Sequence, residues 1–92
     1  MQIERHTVQA CCGKTSLIFK TDRPIMPNDV QALVDLGFTE SAHFTKAGIL
    51  YVDNSDLIIT GPIGSDRLQV KCKILDCTQK VNDFEVLLQQ LG

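Results

Sequence analysis

Cysteine is the residue type with the most chemistry to offer in this 92-residue chain, which holds Cys11, Cys12, Cys72 and Cys77. A structural zinc site needs four thiolate or imidazole ligands that converge on one point, often from paired Cys-x-x-Cys knuckles. Here one pair is adjacent and the other has four residues between its members. If residues 10–12 are extended, Cys11 and Cys12 point to opposite faces of their strand. The spacing therefore favours structural core thiols over a metal site, and no metal or cofactor is expected.

Cys77 is the best candidate for a reactive thiol, because a predicted helix begins beside it and a helix N-terminus favours a thiolate. A thiol-dependent or metal-binding small protein would use Cys77 with Cys72 or Cys12. Against this reading, Cys77 belongs to an apolar helical stripe, and no histidine is assigned to it as a base. In a reducing cytosol the cysteines are expected as thiols rather than disulfides. We therefore predict a protein that is not an enzyme and keep the thiol chemistry as an alternative.

Two glycine motifs have the spacing of loops that bind phosphates or nucleic acids. Gly13-Lys14-Thr15 matches the end of a P-loop, but the glycine required five residues before Gly13 is replaced by Val8. Gly61-Pro62-Ile63-Gly64 has the spacing of a GxxG loop, which joins two helices in KH domains. Here each motif lies between two predicted strands, so both are interpreted as β-turns.

Hydrophobic periodicity predicts the elements that must position these residues. Period-2 alternation and turn residues indicate strands, whereas apolar residues at spacings of three and four indicate helices. Residues 39–46 show neither pattern and are predicted to be irregular or a short helical turn. Gly37 and Phe38 have the character of a helix C-terminus. The predicted order is β-β-α-β-β-β-α, with strands at 2–12, 15–21, 48–52, 57–61 and 67–75, and helices at 27–36 and from Asp76 to the end of the chain.

The element order predicts an α+β fold in a single compact domain, residues 1–92. Short hairpins favour a five-stranded antiparallel sheet, and two one-sided amphipathic helices favour packing on one face of it. In the last strand Leu68, Val70, Cys72 and Ile74 are expected to face the helices. The intervening side chains would then lie on an open face.

Cations cluster at the positions assigned to this open face, while both helices are mostly acidic. We predict a non-catalytic binding module for an acidic protein partner or for self-association. Nucleic-acid binding through the same face is the alternative, and lysines that merely keep the sheet soluble are a third reading. A small-molecule ligand is not expected, because a core of this size should be filled. The candidate binding residues are Arg5, Lys20, Gln69, Lys71 and Lys73.

Composition bounds the partners and the location. Hydrophobic residues make up 43% of the chain and charged residues 22%, and the formal net charge is −2. This charge disfavours a strong, non-specific nucleic-acid binder. Apolar runs reach only about six residues, whereas a membrane-spanning helix needs about 20. The first residues contain no apolar stretch like that of a secretory signal. A cytoplasmic protein without a membrane partner is therefore expected.

Overall fold

A computed structural model describes residues 2–9, 15–74 and 76–91 of the chain. The predicted turn at 13–14, the side chains of Cys11 and Cys12, and the predicted helix end at Gly92 lie outside the described residues. The elements are β1 (Ile3–Gln9), β2 (Thr15–Thr21), α1 (Pro27–Asp35), β3 (Thr39–Glu40), α2 (Ala42–Lys46), β4 (Ile49–Asp53), β5 (Leu57–Pro62), β6 (Arg67–Cys72) and α3 (Thr78–Gln89).

The strands form one antiparallel sheet in the order β1-β2-β6-β5-β4-β3. The α+β class and the antiparallel sheet are confirmed, but the described sheet has six strands rather than five. The additional strand, β3, has two residues and pairs with β4. Two residues are too few to produce an alternating pattern, so the sequence could not reveal this strand. The short helix α2 follows it within the segment predicted to be irregular or a helical turn.

α1 and α3 pack on the same face of the sheet, as predicted. Phe84 of α3 stacks on Phe19 of β2 with 5.9 Å between ring centroids, and it meets the ring of Phe38 edge-on at 5.6 Å. Offset and edge-on aromatic contacts of this kind add to the free energy gained from burial alone. The core residues from both layers are Phe19, Ile25, Val30, Leu33, Phe38, Leu50, Val52, Leu57, Ile59, Leu68, Val70, Cys77, Val81, Phe84 and Leu88.

The ends of α1 follow local chemistry. At its C-terminus Gly37 has a φ of 107°, a left-handed conformation that glycine adopts without a Cβ clash. Phe38 N–H donates to Leu33 O and Gly37 N–H donates to Val34 O, the two bonds of a Schellman motif. The predicted helix end at Gly37 is therefore confirmed. No described helix is both long and apolar enough to cross a membrane.

Candidate binding face

The face of the sheet opposite α1 and α3 is less open than predicted, because the short helix α2 packs on it through an aromatic stack with Tyr51. Cross-strand register shows which side chains share this face. Ile18, Gln69, Thr60 and Tyr51 form a row across β2, β6, β5 and β4. Their neighbours along each strand, such as Leu68, are buried under α1 and α3. Because successive side chains in a strand alternate between faces, the row lies on the opposite side of the sheet. We call this side the open face.

The centre of the open face is an apolar groove, defined here by Ile18, Ile49, Pro62 and Gln69. It encloses about 360 Å³. Ile49 is 37% exposed although it is a large aliphatic residue. Gly61, beneath the groove, permits a close approach of β5 to β6. A Cβ at this position would lie 2.6 Å from the carbonyl oxygen of Arg67. The groove therefore presents aliphatic surface next to a tightly packed pair of strands.

A basic corner, defined as Lys20 and Arg67, adjoins the groove. These residues lie directly opposite each other on β2 and β6. With Glu4, His6 and Ile18 they line a concavity of about 300 Å³. Lys20 forms no ion pair with any residue that the structure describes, and the acidic contact of Arg67 is Asp66 at 4.0 Å. Like charges directly opposite each other in a sheet are destabilising. An incoming carboxylate would relieve this repulsion.

Glu4 is the acidic side chain that lines the basic corner, since it lies opposite Lys20 in the register of β1 and β2. Its carboxylate contacts His6, with 3.4 Å between Oε1 and Nε2. Both side chains are more than half exposed. The carboxylate of Glu4 therefore contacts the His6 imidazole, and it forms no ion pair with either cation of the basic corner.

Three of the five candidate binding residues lie on the open face. Lys20, Gln69 and Lys71 share it, because each pairs with a residue of the same parity in the neighbouring strands. Lys71 is exposed and forms no ion pair within the described part of the chain. The alternation of β6 around Leu68 and Val70 positions Gln69 and Lys71 as expected.

The expected position of Arg5 is wrong, because this residue points toward the helices. It pairs in register with Phe19, whose side chain is in the core. The Arg5 guanidinium lies over the Phe19 ring at 5.5 Å from its centroid. Its Nη2 donates to Glu85 Oε2 at 2.6 Å and to Asn82 Oδ1 at 3.1 Å on α3. The strand alone suggested the opposite orientation, but pairing with β2 determines it.

Lys73 also differs from the expected free cation, because it forms an ion pair with Asp53. It follows the end of β6, and its Nζ donates to Asp53 Oδ2 at 2.7 Å. Its backbone N–H also donates to Asp56 O at 2.8 Å. The side chain therefore joins the end of β6 to the end of β4, a contact that strand parity could not predict.

Sequence reasoning missed Arg67 and the aliphatic residues of the groove. Arg67 has the same parity as Gln69 and Lys71, so extending the alternation of β6 by two residues toward its start would have found it. Ile18 lies on the same face as Lys20, but an aliphatic residue in a strand does not by itself indicate a binding site. Ile49 begins β4 and Pro62 ends β5, so they are far apart in the sequence. The register of β4 with β5 pairs them directly.

The end of β6 and the cysteines differ from expectation. Cys72 and Ile74 are exposed rather than turned toward the helices, because the strand ends at Cys72. Cys72 and Cys77 are joined in a disulfide, with their Cα atoms 6.0 Å apart, so the expectation of free thiols is wrong for this pair. Cys12 lies outside the described residues. Among the residues with described positions, no three His, Cys, Asp or Glu side chains lie close enough together to hold a metal ion.

Turn chemistry accounts for the remaining motifs. Gly64 has a φ of 93°, and Ser65 N–H donates to Pro62 O at 3.1 Å, as in a β-turn between β5 and β6. Thr15 begins a strand rather than the helix that a P-loop requires. Comparison of the chain with protein-family models, with curated proteins and with solved structures finds no match.

Proposed function

We propose that this chain is a non-catalytic interaction module that binds an acidic, partly apolar segment of a protein partner on its open face. The observation that carries this proposal is the basic corner, in which Lys20 and Arg67 lie opposite each other beside the apolar groove. A carboxylate of the partner would accept hydrogen bonds from both cations. Charge-assisted hydrogen bonds to carboxylates are about twice as strong as neutral ones. The cytoplasm remains the proposed location.

The groove determines what the rest of the partner segment must be. Ile18, Ile49 and Pro62 offer aliphatic surface to a side chain such as leucine or valine, and Gln69 offers an amide to the partner backbone. Lys71 lies two residues beyond Gln69 on β6 and would meet a second acidic side chain. The segment would therefore carry a carboxylate, an apolar residue and a further carboxylate in extended conformation.

A protein segment fits this face better than a nucleic acid. Single-stranded nucleic acids stack their bases on aromatic side chains. The aromatic rings beside the groove, Phe44 and Tyr51, stack on each other with 4.8 Å between centroids. The groove itself is aliphatic, and the net charge of the chain is −2. Nucleic-acid binding and self-association are therefore treated as outcomes of the test.

The proposal is tested with a randomised 12-residue peptide library displayed on phage and selected on the wild-type chain at low salt. We expect enriched sequences with Asp or Glu on one or both sides of an aliphatic residue. Synthetic copies of these peptides should shift the backbone amide signals of Ile18, Thr60 and Gln69 in a nuclear magnetic resonance titration. Replacing any one of their acids by the amide should weaken binding by at least about tenfold, because a hydrogen bond to a charged group contributes about 1.5–3 kcal/mol.

Charge-reversal variants localise the site. Lys20→Glu with Arg67→Glu should abolish binding of the selected peptides. Lys46→Glu with Lys80→Glu makes the same change of charge at two exposed lysines on α2 and α3, and this control should not. Enrichment without acidic residues, or binding that survives the double variant, would contradict the proposal. Binding of a single-stranded oligonucleotide at the same amides would favour the nucleic-acid alternative. Concentration-dependent sedimentation abolished by the double variant would favour a second copy of the chain.

A further inference from the structure

The Cys72–Cys77 disulfide joins the end of β6 to the beginning of α3. The two partners differ in their surroundings. Cys72 is exposed at the end of its strand, whereas Cys77 is 9% exposed and belongs to the hydrophobic core. An external thiol can therefore approach the sulfur of Cys72 but is shielded from that of Cys77.

The disulfide is poorly suited to the role of a structural staple. Its partners are separated by five positions in the sequence, and the stabilisation that a crosslink gives through chain entropy grows with the length of the closed loop. Other contacts already hold α3 in place. Val81, Phe84 and Leu88 are buried against the sheet, and Glu85 binds Arg5 of β1. We therefore expect the helix to keep its packing when the disulfide opens.

We propose that Cys72 and Cys77 form a reversible thiol–disulfide exchange site whose co-substrate is a low-molecular-weight thiol of the glutathione class. The inference is independent of the groove and of the basic corner. It adds a two-electron chemistry at the junction of β6 and α3, on residues that the proposed interaction does not use.

The exchange balances in two steps. The thiolate of the co-substrate attacks Sγ of Cys72, the bond between the two cysteines breaks, and Sγ of Cys77 leaves with the electron pair. The thiolate of a second co-substrate molecule then attacks the sulfur of the first co-substrate molecule in the mixed disulfide. The co-substrate disulfide forms, the bond to Sγ of Cys72 breaks, and Cys72 leaves as a thiolate. The protein disulfide is thereby reduced to two thiols, and two co-substrate thiols are oxidised to one disulfide. The reverse sequence, with the oxidised co-substrate, closes the site again.

Position in the fold favours this direction of attack. The sulfur released from Cys77 lies at the N-terminus of a 12-residue helix, where the helix dipole favours negative charge. The first amide of α3, Thr78 N–H, already donates to Asp76 Oδ1 at 3.2 Å. The amides of Gln79 and Lys80 are the remaining first-turn groups that face the N-terminal end. Exposure at Cys72 and a helix terminus at Cys77 therefore give the two sulfurs separate roles, target and leaving group.

The first test uses the full chain with Cys11→Ser and Cys12→Ser, so that every thiol counted comes from Cys72 or Cys77. The protein is equilibrated in buffers with different ratios of reduced to oxidised glutathione. Free thiols are then blocked with an alkylating reagent and counted by mass spectrometry. We expect the pair to pass from oxidised to reduced within the range that these buffers cover, with the far-ultraviolet circular dichroism spectrum unchanged. A pair that stays oxidised in excess reduced glutathione, one that never oxidises, or a reduced chain that unfolds would overturn the proposal.

The second test separates the roles of the two sulfurs. In the same background, Cys77→Ser leaves only Cys72, and Cys72→Ser leaves only Cys77. Oxidised glutathione should form a mixed disulfide with Cys72 at least about tenfold faster than with the native, buried Cys77, because access controls exchange. Urea should remove this difference. Equal rates in the folded variants would contradict the assigned roles, and peptide mapping of the intact pair during brief reduction gives the same comparison should either variant fail to fold.

Discussion

The two faces of the sheet treat their cations differently. On the side of the helices, Arg5 binds Glu85 and Arg23 binds Asp29. On the open face, Lys20 and Lys71 form no ion pair with any described residue. Arg67 on the open face has an acidic contact at 4.0 Å, with its neighbour Asp66. The cations that join elements of the fold therefore have close acidic partners in other elements, whereas those on the open face have none in the part of the chain that the structure describes. Position relative to the helices, rather than the number of charges, separates the cations with a stabilising role from those to which we assign the proposed binding role.

The contact of Arg23 with Asp29 shows how a paired cation joins the fold together. Arg23 Nη1 and Nη2 donate to the two carboxylate oxygens of Asp29 at 2.9 and 2.8 Å. Arg23 Nη2 also donates to Leu91 O at 2.9 Å, beyond the end of α3. One side chain therefore links the segment before α1, the first turn of α1, and the C-terminal end of α3.

Asp29 is held in its charged form by these contacts. Burial raises the pKa of the Asp29 carboxyl, but the hydrogen bonds from Arg23 and from Met26 N–H, together with the charge of Arg23, outweigh burial. The net result is a pKa below the ordinary value. The same carboxylate also satisfies an amide at the start of α1, as an acidic residue in the first turn commonly does.

The largest expected effect is a loss of packing between α3 and the sheet. Phe84→Ala removes a ring that contacts both Phe19 and Phe38, and it should lower the free energy of unfolding by about 3–5 kcal/mol. Urea denaturation measures this change. Val86→Ala on the same helix is the control, since Val86 is 52% exposed and its change should stay within about 0.5 kcal/mol. Similar losses in both variants would mean that α3 does not bury the face described.

A smaller, pH-dependent effect is expected at Asp29. Asp29→Asn should lower the free energy of unfolding by about 2 kcal/mol at neutral pH, because it removes a charged hydrogen-bond partner. Since folding lowers the pKa of Asp29, its contribution is present above the unfolded value of about 4 and is lost as the pH falls through the folded value.

Urea denaturation of wild type and Asp29→Asn at pH 7 and at about pH 3 tests the sign, because acid should shrink the difference between them. Asp35→Asn is the matched control on α1. Asp35 is exposed and accepts a hydrogen bond from Gln31 Nε2. It should give little difference at either pH, and a wild-type advantage over Asp29→Asn that grows on acidification would contradict the assigned direction.

Local periodicity explains what the sequence could predict. The spacing of Val81, Phe84 and Leu88 indicated both the helix and its buried face, and those three residues are buried. The alternation around Leu68 and Val70 placed Gln69 and Lys71 correctly. In each case the information lies within one element, where hydrophobic side chains repeat at the period of the backbone.

Non-local pairing explains what the sequence could not predict. The direction of Arg5 depends on its register opposite Phe19, which lies in another strand. The Cys72–Cys77 bond depends on how the segment after β6 turns toward α3, and that segment has no periodic pattern. Lys73 was assigned by parity, but it lies beyond the last residue of β6, where alternation no longer applies.

Replacing one arginine on each face compares how much the two faces depend on their cations for stability. Arg5→Gln should lower the free energy of unfolding by about 1 kcal/mol, because it removes an ion pair and a cation–π contact that are both partly exposed. Arg67→Gln on the open face should change it by less than about 0.5 kcal/mol. Thermal or urea denaturation measures both. A larger cost at Arg67 than at Arg5 would reverse the roles assigned to the two faces.

The smallest expected effects compare two lysines at the end of β6. Lys71→Glu should leave the free energy of unfolding unchanged within about 0.5 kcal/mol, since Lys71 has no ion pair within the described residues. Lys73→Glu should lower it by roughly 0.5–1 kcal/mol, because it replaces the cation that binds Asp53 with a second carboxylate.

Urea denaturation at low and high salt tests the origin of this difference. Added salt should narrow the gap between Lys73→Glu and wild type, because the Lys73 and Asp53 side chains are each about one-third exposed and their attraction is screened. Binding should show the opposite ranking. The peptides selected on the open face should lose affinity for Lys71→Glu and keep it for Lys73→Glu, since Lys73 is already occupied by Asp53. A cation that costs nothing in stability yet is required for binding is one that the fold leaves free, and equal effects of both substitutions on binding would remove that distinction.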